Sequence, residues 1–110
     1  MIDYYIYGYF KDINPNAPSI KKVTGRRFDH CGLWWYYRKA IDDRGKVFYE
    51  VTMPCNGFRI GGFDRLKDAK EFITSNFEAI VMKCETKDMI RAERRFQELV
   101  AKAKEMEVWG

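Results

Sequence analysis

Hydrophobic and polar residues alternate along the N-terminal stretch with the period of a β-strand. The first ten residues are rich in aromatic and β-branched side chains, and Ile2, Tyr4, Ile6 and Phe10 fall on one side of the period. Successive side chains of a strand point to opposite faces. This spacing therefore predicts a strand over residues 1–10.

Turn-forming residues divide the next part of the chain. Residues 14–19 hold two prolines, two asparagines and a serine, which remove ladder donors and favour turns, so residues 11–32 are predicted to form a loop. Alternation resumes over residues 33–60 and is interrupted by Asp42-Asp43-Arg44-Gly45 and by Pro54-Cys55-Asn56-Gly57. The first interruption suits a hairpin turn because its glycine can take a positive φ, and the second breaks the ladder at its proline. The pattern predicts a three-stranded antiparallel meander.

A helix is predicted directly after the meander. Apolar residues recur at helical spacing from Leu66 onward, and Asp64 is suited to cap the N-terminus. Asn76 is a plausible stop because asparagine tolerates the left-handed conformation of a helix end. These signals predict a helix over residues 64–76. Residues 77–84 suit either a short strand or a continuation of the helix.

A second helix is predicted over residues 86–107, with Thr86 as its N-cap. Its apolar residues are spaced three and four apart, in a seam that is too short for an autonomous coiled coil. We therefore expect the seam to pack on the domain itself, with homodimerisation as the alternative. Val108 and Trp109 would extend such a contact. The residues of the proposed dimer seam are Met89, Phe96, Leu99 and Met106.

These elements together predict one α+β domain over residues 1–110. Its antiparallel sheet would have four or five strands, and the two C-terminal helices would cover one face. At 46% hydrophobic and 16% aromatic residues, the chain has enough apolar surface for a core. No run approaches the roughly 18 apolar residues of a membrane span, and the N-terminus lacks the features of a signal peptide. A cytoplasmic protein without membrane contact is expected.

The cysteines and the single histidine match no catalytic or metal motif. Cys31, Cys55 and Cys84 are odd in number and lie in apolar neighbourhoods, so we expect them to be reduced and buried. Adjacent His30 and Cys31 lack the C-x₂-C spacing of a zinc site, and neighbours on a strand point apart, which disfavours a catalytic dyad. No phosphate-loop spacing surrounds the glycines. We therefore expect no metal, no cofactor and no enzymatic activity.

The net charge of +4 is concentrated in one part of the chain. Residues 21–59 hold nine Lys or Arg against four acidic residues, whereas residues 60–83 and 84–110 each balance. If the helices cover one sheet face, cations and aromatic rings share the other, where they could bind phosphates and stack on bases. The residues predicted to bind nucleic acid or another partner are Lys21, Lys22, Arg26, Arg27, Trp34, Tyr36, Arg38, Lys46, Phe48 and Arg59.

The step from the meander into the first helix reads Phe58-Arg59-Ile60-Gly61-Gly62-Phe63-Asp64-Arg65-Leu66-Lys67-Asp68-Ala69. Over residues 34–76 the chain resembles the AP2-type and integrase arm-type DNA-binding domains. Those domains lay a three-stranded sheet on DNA and pack a helix behind it, with Gly62-Phe63 and Ala69 at matching packing positions. The N-terminal strand and the long last helix are additions to that pattern. The resemblance implies that the strand cations facing the nucleic acid are Arg38, Lys46 and Arg59.

Three interpretations of this surface remain open. The first is a non-catalytic nucleic-acid-binding accessory factor of a phage or mobile element, in whose small proteins the same strand-to-helix step occurs. The second is a protein-binding inhibitor or adaptor, for example an anti-CRISPR-like factor that acts on a nucleic-acid-processing enzyme, because Trp, Tyr and Arg are also enriched at protein hot spots. The third is half-buried sheet surface with solvated charges.

Overall fold

Five antiparallel strands follow one another in the same order along the chain and in space. A computed structural model describes the backbone of residues 1–109 and the side chains of residues 1–107. The strands pair as a curled meander, and both helices lie C-terminal to it. The elements are β1 (Ile2–Phe10), β2 (Asn14–His30), β3 (Leu33–Ile41), β4 (Val47–Thr52), β5 (Arg59–Phe63), α1 (Leu66–Cys84) and α2 (Lys87–Trp109).

The predicted α+β class is confirmed, with five strands in the sheet. The helices cover the outer face of the curl: α1 packs on β3 to β5 and on the end of β2, and α2 packs on β1 and β2. The two predicted turns are present. At the β3–β4 turn Gly45 has a φ of 82°, and the Asp42 carboxylate accepts backbone hydrogen bonds from Arg44 and Lys46. None of the helices described here is long and apolar enough to cross a membrane.

The loop predicted over residues 11–32 is wrong, because most of it is the 17-residue strand β2. Both prolines lie near the start of β2, where the register with β1 shifts between Gly8 and Phe10 and few ladder donors are needed. Regular pairing begins at Ser19. The alternation was hidden because Val23 is buried on the concave face and Phe28 on the outer face, so the buried side of the strand changes along its length.

That change of side happens at Gly25, where β2 passes from one partner to another. Up to Gly25, β2 pairs with β1, and from Arg26 onward it pairs with β3. A Cβ atom at Gly25 would overlap the Tyr37 carbonyl oxygen, so the two strands can approach only where residue 25 has no side chain. The absence of a side chain therefore allows the sheet to curl.

The concave face of the curl encloses its own small core. Tyr4, Ile6, Phe10 and Val23 are buried there, and the Tyr4 ring stacks on Tyr36 at a centroid distance of 4.4 Å. Burial raises the pKa of the Tyr4 hydroxyl to about 12. On the open side of β1, the Tyr7 backbone N–H donates to the Gly57 carbonyl at 2.8 Å, which ties the first strand to the β4–β5 loop.

The larger core lies between the sheet and α1. Phe28, Trp35 and Val51 from the strands pack against Ala69 and Ile73 of the helix. All five are at most 9% exposed, so their burial contributes a large hydrophobic stabilisation. The Trp35 indole N–H donates to the His30 carbonyl at 3.1 Å, which satisfies the one polar group of that ring.

Helix α1 is longer than predicted and has a different start. Asn76 does not stop it: its side-chain amide donates to the Phe72 carbonyl at 2.9 Å, and the helix continues through residues 77–84 to Cys84. The predicted cap at Asp64 is also wrong. The N-cap position belongs to Arg65, which makes no side-chain cap bond, and Asp64 pairs with Lys46 instead.

Helix α2 begins as predicted, with the Thr86 hydroxyl accepting from the Met89 backbone N–H at 3.3 Å. Phe96 is buried against Tyr7 and lies so close to Gly57 that a Cβ there would overlap its ring. The seam therefore packs partly on its own domain, since Met89 and Leu99 are half-buried and Met106 is 73% exposed. Homodimerisation remains a prediction. The side chains of Val108 and Trp109 lie outside the described residues.

The far end of α2 is held to the sheet by one carboxylate. Glu107 accepts from the Tyr5 hydroxyl at 2.7 Å and from the Lys22 ammonium at 3.0 Å. The hydrogen bond from Tyr5, together with that from Lys22, lowers the pKa of Glu107 below the ordinary value of a glutamate. The contact joins β1, β2 and α2 at the surface.

Replacing Gly25 with alanine should destabilise the protein by about 3 kcal/mol or prevent folding, because the new methyl meets backbone that cannot move aside. Gly8→Ala is the matched control, since a Cβ there makes only ordinary van der Waals contact, and it should change stability by less than about 1 kcal/mol. Chemical denaturation of both variants measures the difference. Equal stabilities would show that β2 does not depend on this close approach.

The Glu107 carboxylate should titrate below the ordinary range in the native protein. Because its folded pKa is depressed, the contact with Tyr5 and Lys22 is present at neutral pH and is lost as the pH falls through that lowered value. In Tyr5→Phe the pKa of Glu107 should rise, because the hydrogen bond from the Tyr5 hydroxyl is lost. Tyr9→Phe changes an exposed ring and should not alter the pKa of Glu107. A carboxyl NMR titration gives both values. The same midpoint in all three proteins would contradict the contact.

Candidate nucleic-acid interface

The residues predicted to bind a partner are divided between the two faces of the curled sheet. The strand registers place Arg26 and Lys22 on the outer face and Lys46 beside the β3–β4 turn. The concave face carries the remainder, namely Lys21, Arg27, Trp34, Tyr36, Arg38, Phe48 and Arg59. The single basic, aromatic face expected from the sequence is therefore not one continuous surface.

A buried carboxylate holds two of the concave cations. Glu50 is 5% exposed, and its two oxygens lie 3.0 Å from Arg38 Nε and 3.6 Å from Arg59 Nη1. A carboxylate so far from solvent must be compensated, and both guanidiniums contribute to that compensation. Arg38 and Arg59 are thus both paired with Glu50, although the Arg59 side chain is still 43% exposed.

Most of the concave aromatic rings are also used in packing. Tyr36 lies between Tyr4, on which it stacks, and Trp34, whose ring meets it edge-on at 5.3 Å. Phe48 is half-buried against Gly62, where a Cβ would come within 2.8 Å of its ring. Trp34 is the exception: it is 41% exposed, and the Arg27 guanidinium lies 4.9 Å from its centroid.

The other predicted cations near the surface have acidic partners. Lys21 pairs with Asp12 at 3.4 Å, Lys22 with Glu107 at 3.0 Å, and Lys46 with Asp64 at 3.0 Å. Exposed pairs of this kind add little stability, but each places a negative charge beside the cation. Of the seven predicted cations, five are therefore paired. Only Arg26 and Arg27 make no ion pair with a carboxylate in the part of the chain that the structure describes.

Arg26 lines a groove of about 410 Å³ on the outer side of the sheet, which we call the outer groove. No aspartate or glutamate is among the described residues that line it. Tyr37 and Tyr49 lie 6.1 Å apart in it with their rings tilted, and the Lys39 ammonium lies 5.9 Å from the Tyr49 centroid. The lining consists of Met1, Thr24, Gly25, Arg26, Tyr37, Arg38, Lys39 and Tyr49.

The groove exists because the β2–β3 ladder ends before β3 does. Pairing between these strands stops at Arg26 and Tyr37, since β2 turns away at Gly25 while β3 continues to Ile41. Helix α1 does not fill the gap. It begins after β5 and runs toward His30, which contacts Thr74, and toward Met53, which contacts Cys84. The end of β3 therefore stays open to solvent on its outer side.

The sequence did not predict the two aromatic residues of the outer groove, Tyr37 and Tyr49, or its second cation, Lys39. Neither tyrosine was among the residues predicted to bind a partner, and Lys39 entered only through the count of basic residues over 21–59. One signal could have identified them. Lys39 shares its face with Trp35 and Tyr37, and a cation on an otherwise apolar face marks the point where the covering helix ends.

The His30 and Cys31 side chains both meet Thr74 on α1. His30 Nε2 lies 2.7 Å from the Thr74 hydroxyl and Cys31 Sγ lies 3.9 Å from it, so the two residues share a neighbour across the sheet edge. Cys31 belongs to the tight β2–β3 turn and has a φ of 53°. The arrangement is a polar contact that fixes the turn against the helix.

The expectation that the cysteines are buried is wrong for two of the three. All are free thiols; Cys31 and Cys55 are exposed because they lie in connections, and Cys84 is half-buried at the end of α1. Desolvation, followed by the nearby Glu93 carboxylate, raises the pKa of both Cys55 and Cys84, which lowers their thiolate content. Among the described residues no three His, Cys, Asp or Glu side chains are grouped to hold a metal ion.

Comparison with protein-family models, with curated proteins and with solved structures finds no match to this chain. The resemblance of residues 34–76 to AP2-type and integrase arm-type domains therefore remains a prediction from the sequence. The function of the outer groove is therefore inferred from the residues that line it.

Proposed function

We propose that the protein is a non-catalytic nucleic-acid-binding factor whose binding surface is the outer groove. One observation supports this most directly: Arg26 and Lys39 enter the groove beside two tyrosine rings, and the described lining contains no carboxylate. Cations of this kind can exchange their counterions for phosphates, and flat rings offer faces for bases. The groove combines the two chemistries that nucleic-acid binding needs.

The distribution of ion pairs favours this groove over the concave face. A cation that already has a carboxylate beside it gains less from a phosphate, because the phosphate must compete with the partner it displaces. Arg38 and Arg59 on the concave face share Glu50, whereas Arg26 and Lys39 have no such partner among the described residues. The net positive charge of the meander is therefore most accessible on the outer side.

A second contact lies directly across the same strand. Arg26 and Arg27 are neighbours on β2, so their side chains point to opposite faces, and Arg27 lies over the exposed Trp34 ring. Pairing with β1 ends at Gly25, which leaves the Arg26–His30 part of β2 with β3 as its strand neighbour. A polyanion that crosses this free edge could contact both arginines.

The alternative function, a protein-binding inhibitor of a nucleic-acid enzyme, would use the same half-buried tyrosines and the same arginines. It differs in what the isolated protein binds. A nucleic-acid-binding factor binds oligonucleotides by itself, with an affinity that falls steeply as salt rises. An inhibitor needs its protein target.

Removing both groove cations should weaken oligonucleotide binding at low salt by about tenfold or more and should reduce the slope of log affinity against log salt by about 1.4, since each phosphate contact to a single strand contributes roughly 0.7. The variant is Arg26→Gln with Lys39→Gln. Fluorescence anisotropy over a salt series, with labelled DNA and RNA in single-stranded and duplex forms, measures both quantities.

The matched control is Arg91→Gln with Lys102→Gln, which removes the same charge from exposed positions of α2. It should retain affinity within about twofold. An equal loss in both double variants would mean that net charge alone drives binding and would overturn the assignment to the outer groove. No binding of any oligonucleotide by the unaltered protein at low salt would reject the proposed function.

A further inference from the structure

We infer that the outer groove binds single-stranded rather than duplex nucleic acid, with one unstacked base against Tyr49 and Tyr37 and the flanking phosphates on Arg26 and Lys39. This inference rests on the proposed function. It concerns which form of nucleic acid the groove accepts.

The size of the groove suits a single nucleotide unit. Its volume of about 410 Å³ lies at the lower end of the range for small-ligand sites, about 300 to 1,000 Å³. It is also recessed, because β2 curls away on one side while β3 continues on the other. A recess of this kind can admit a splayed base, whereas the bases of a duplex stay inside its stack.

The tyrosine rings are held in place before any ligand arrives. Tyr37 contacts Phe28, a residue of the main core, at a centroid distance of 5.7 Å, and Tyr49 in turn contacts Tyr37. Both tyrosines are half-buried, so stacking a base on them would cost little side-chain entropy. Ring faces contribute in this way only to unstacked bases, which single strands supply.

The elements around the groove offer no means of reading a duplex. The major groove is read by a projecting helix or a two-stranded ribbon, but α1 and α2 are packed along the sheet. The β3–β4 turn follows the end of β3, and it carries Asp42 and Asp43 together with Arg44 and Lys46. That turn has no net positive charge, so it does not attract duplex phosphates.

The two cations differ in how they would hold a strand. The planar Arg26 guanidinium can bind one phosphate through two parallel hydrogen bonds, which fixes its orientation. Lys39 acts as a point charge, and its ammonium is near enough to the Tyr49 ring to neutralise a phosphate next to a stacked base. This places the base between its two flanking phosphates.

The test compares Tyr49→Leu with Tyr49→Phe in anisotropy titrations of a single-stranded oligonucleotide and of the same sequence as a duplex. The unaltered protein should bind the single strand about tenfold more tightly than the duplex. Tyr49→Leu should weaken single-strand binding about tenfold, within the effect expected for one stacked base, and change duplex binding by less than about twofold. Tyr49→Phe keeps the ring and should retain single-strand affinity.

Two further proteins complete the design. Tyr9→Leu alters a ring that is 63% exposed and lies outside the groove, so it should leave both affinities unchanged. Thermal unfolding shows whether Tyr49→Leu is folded, and if it is not, Tyr49→Ile takes its place. Duplex binding as tight as single-strand binding would overturn this inference, and so would a folded Tyr49→Leu or Tyr49→Ile variant that keeps its single-strand affinity. The proposed function would still stand in either case if the Arg26 and Lys39 double variant loses affinity. Absence of all binding would reject both.

Discussion

The close approach of Gly25 to the Tyr37 carbonyl is the contact on which the rest of the structure depends. It lets β2 leave one strand partner and join another without a break in the chain. On the concave side the resulting curl brings Tyr4 over Tyr36 and buries the small core between them. On the outer side the same departure of β2 leaves the end of β3 paired only with β4, which creates the outer groove. One residue without a side chain thus determines both surfaces of the sheet.

The curl also determines which charges remain open to a partner. Burying Glu50 inside the curl requires cations beside it, and Arg38 and Arg59 supply them. Those two residues are basic in the sequence, but in the fold they share one carboxylate, which offsets one of their two charges. Arg26 and Lys39 lie on the other side of the sheet, away from this carboxylate, and line a groove with no described acidic residue. An excess of charge in a sequence therefore indicates a binding surface only after its internal pairs have been removed.

Periodic patterns predicted the parts of the fold in which each element keeps one buried side. β1, the β3–β4 hairpin and the Thr86 cap follow from alternation and local turn or cap chemistry. β2 could not be predicted in this way, because its buried side changes at Gly25 and its start contains two prolines. For the candidate nucleic-acid interface, the sequence located the basic region of the chain but did not show which face of the sheet remains uncovered. Whether a helix covers Tyr37 and Lys39 depends on the path of α1, which no local pattern specifies.

We propose that the outer groove, and not the concave face, is the surface that binds nucleic acid. Amide NMR spectra of the protein titrated with a short single-stranded oligonucleotide test this claim residue by residue. We expect the largest changes in amide chemical shift at Arg26, Lys39 and Tyr49. If the largest chemical-shift changes occurred at Lys21 and Arg59 and the amides of the outer groove did not shift, binding at the groove would be contradicted.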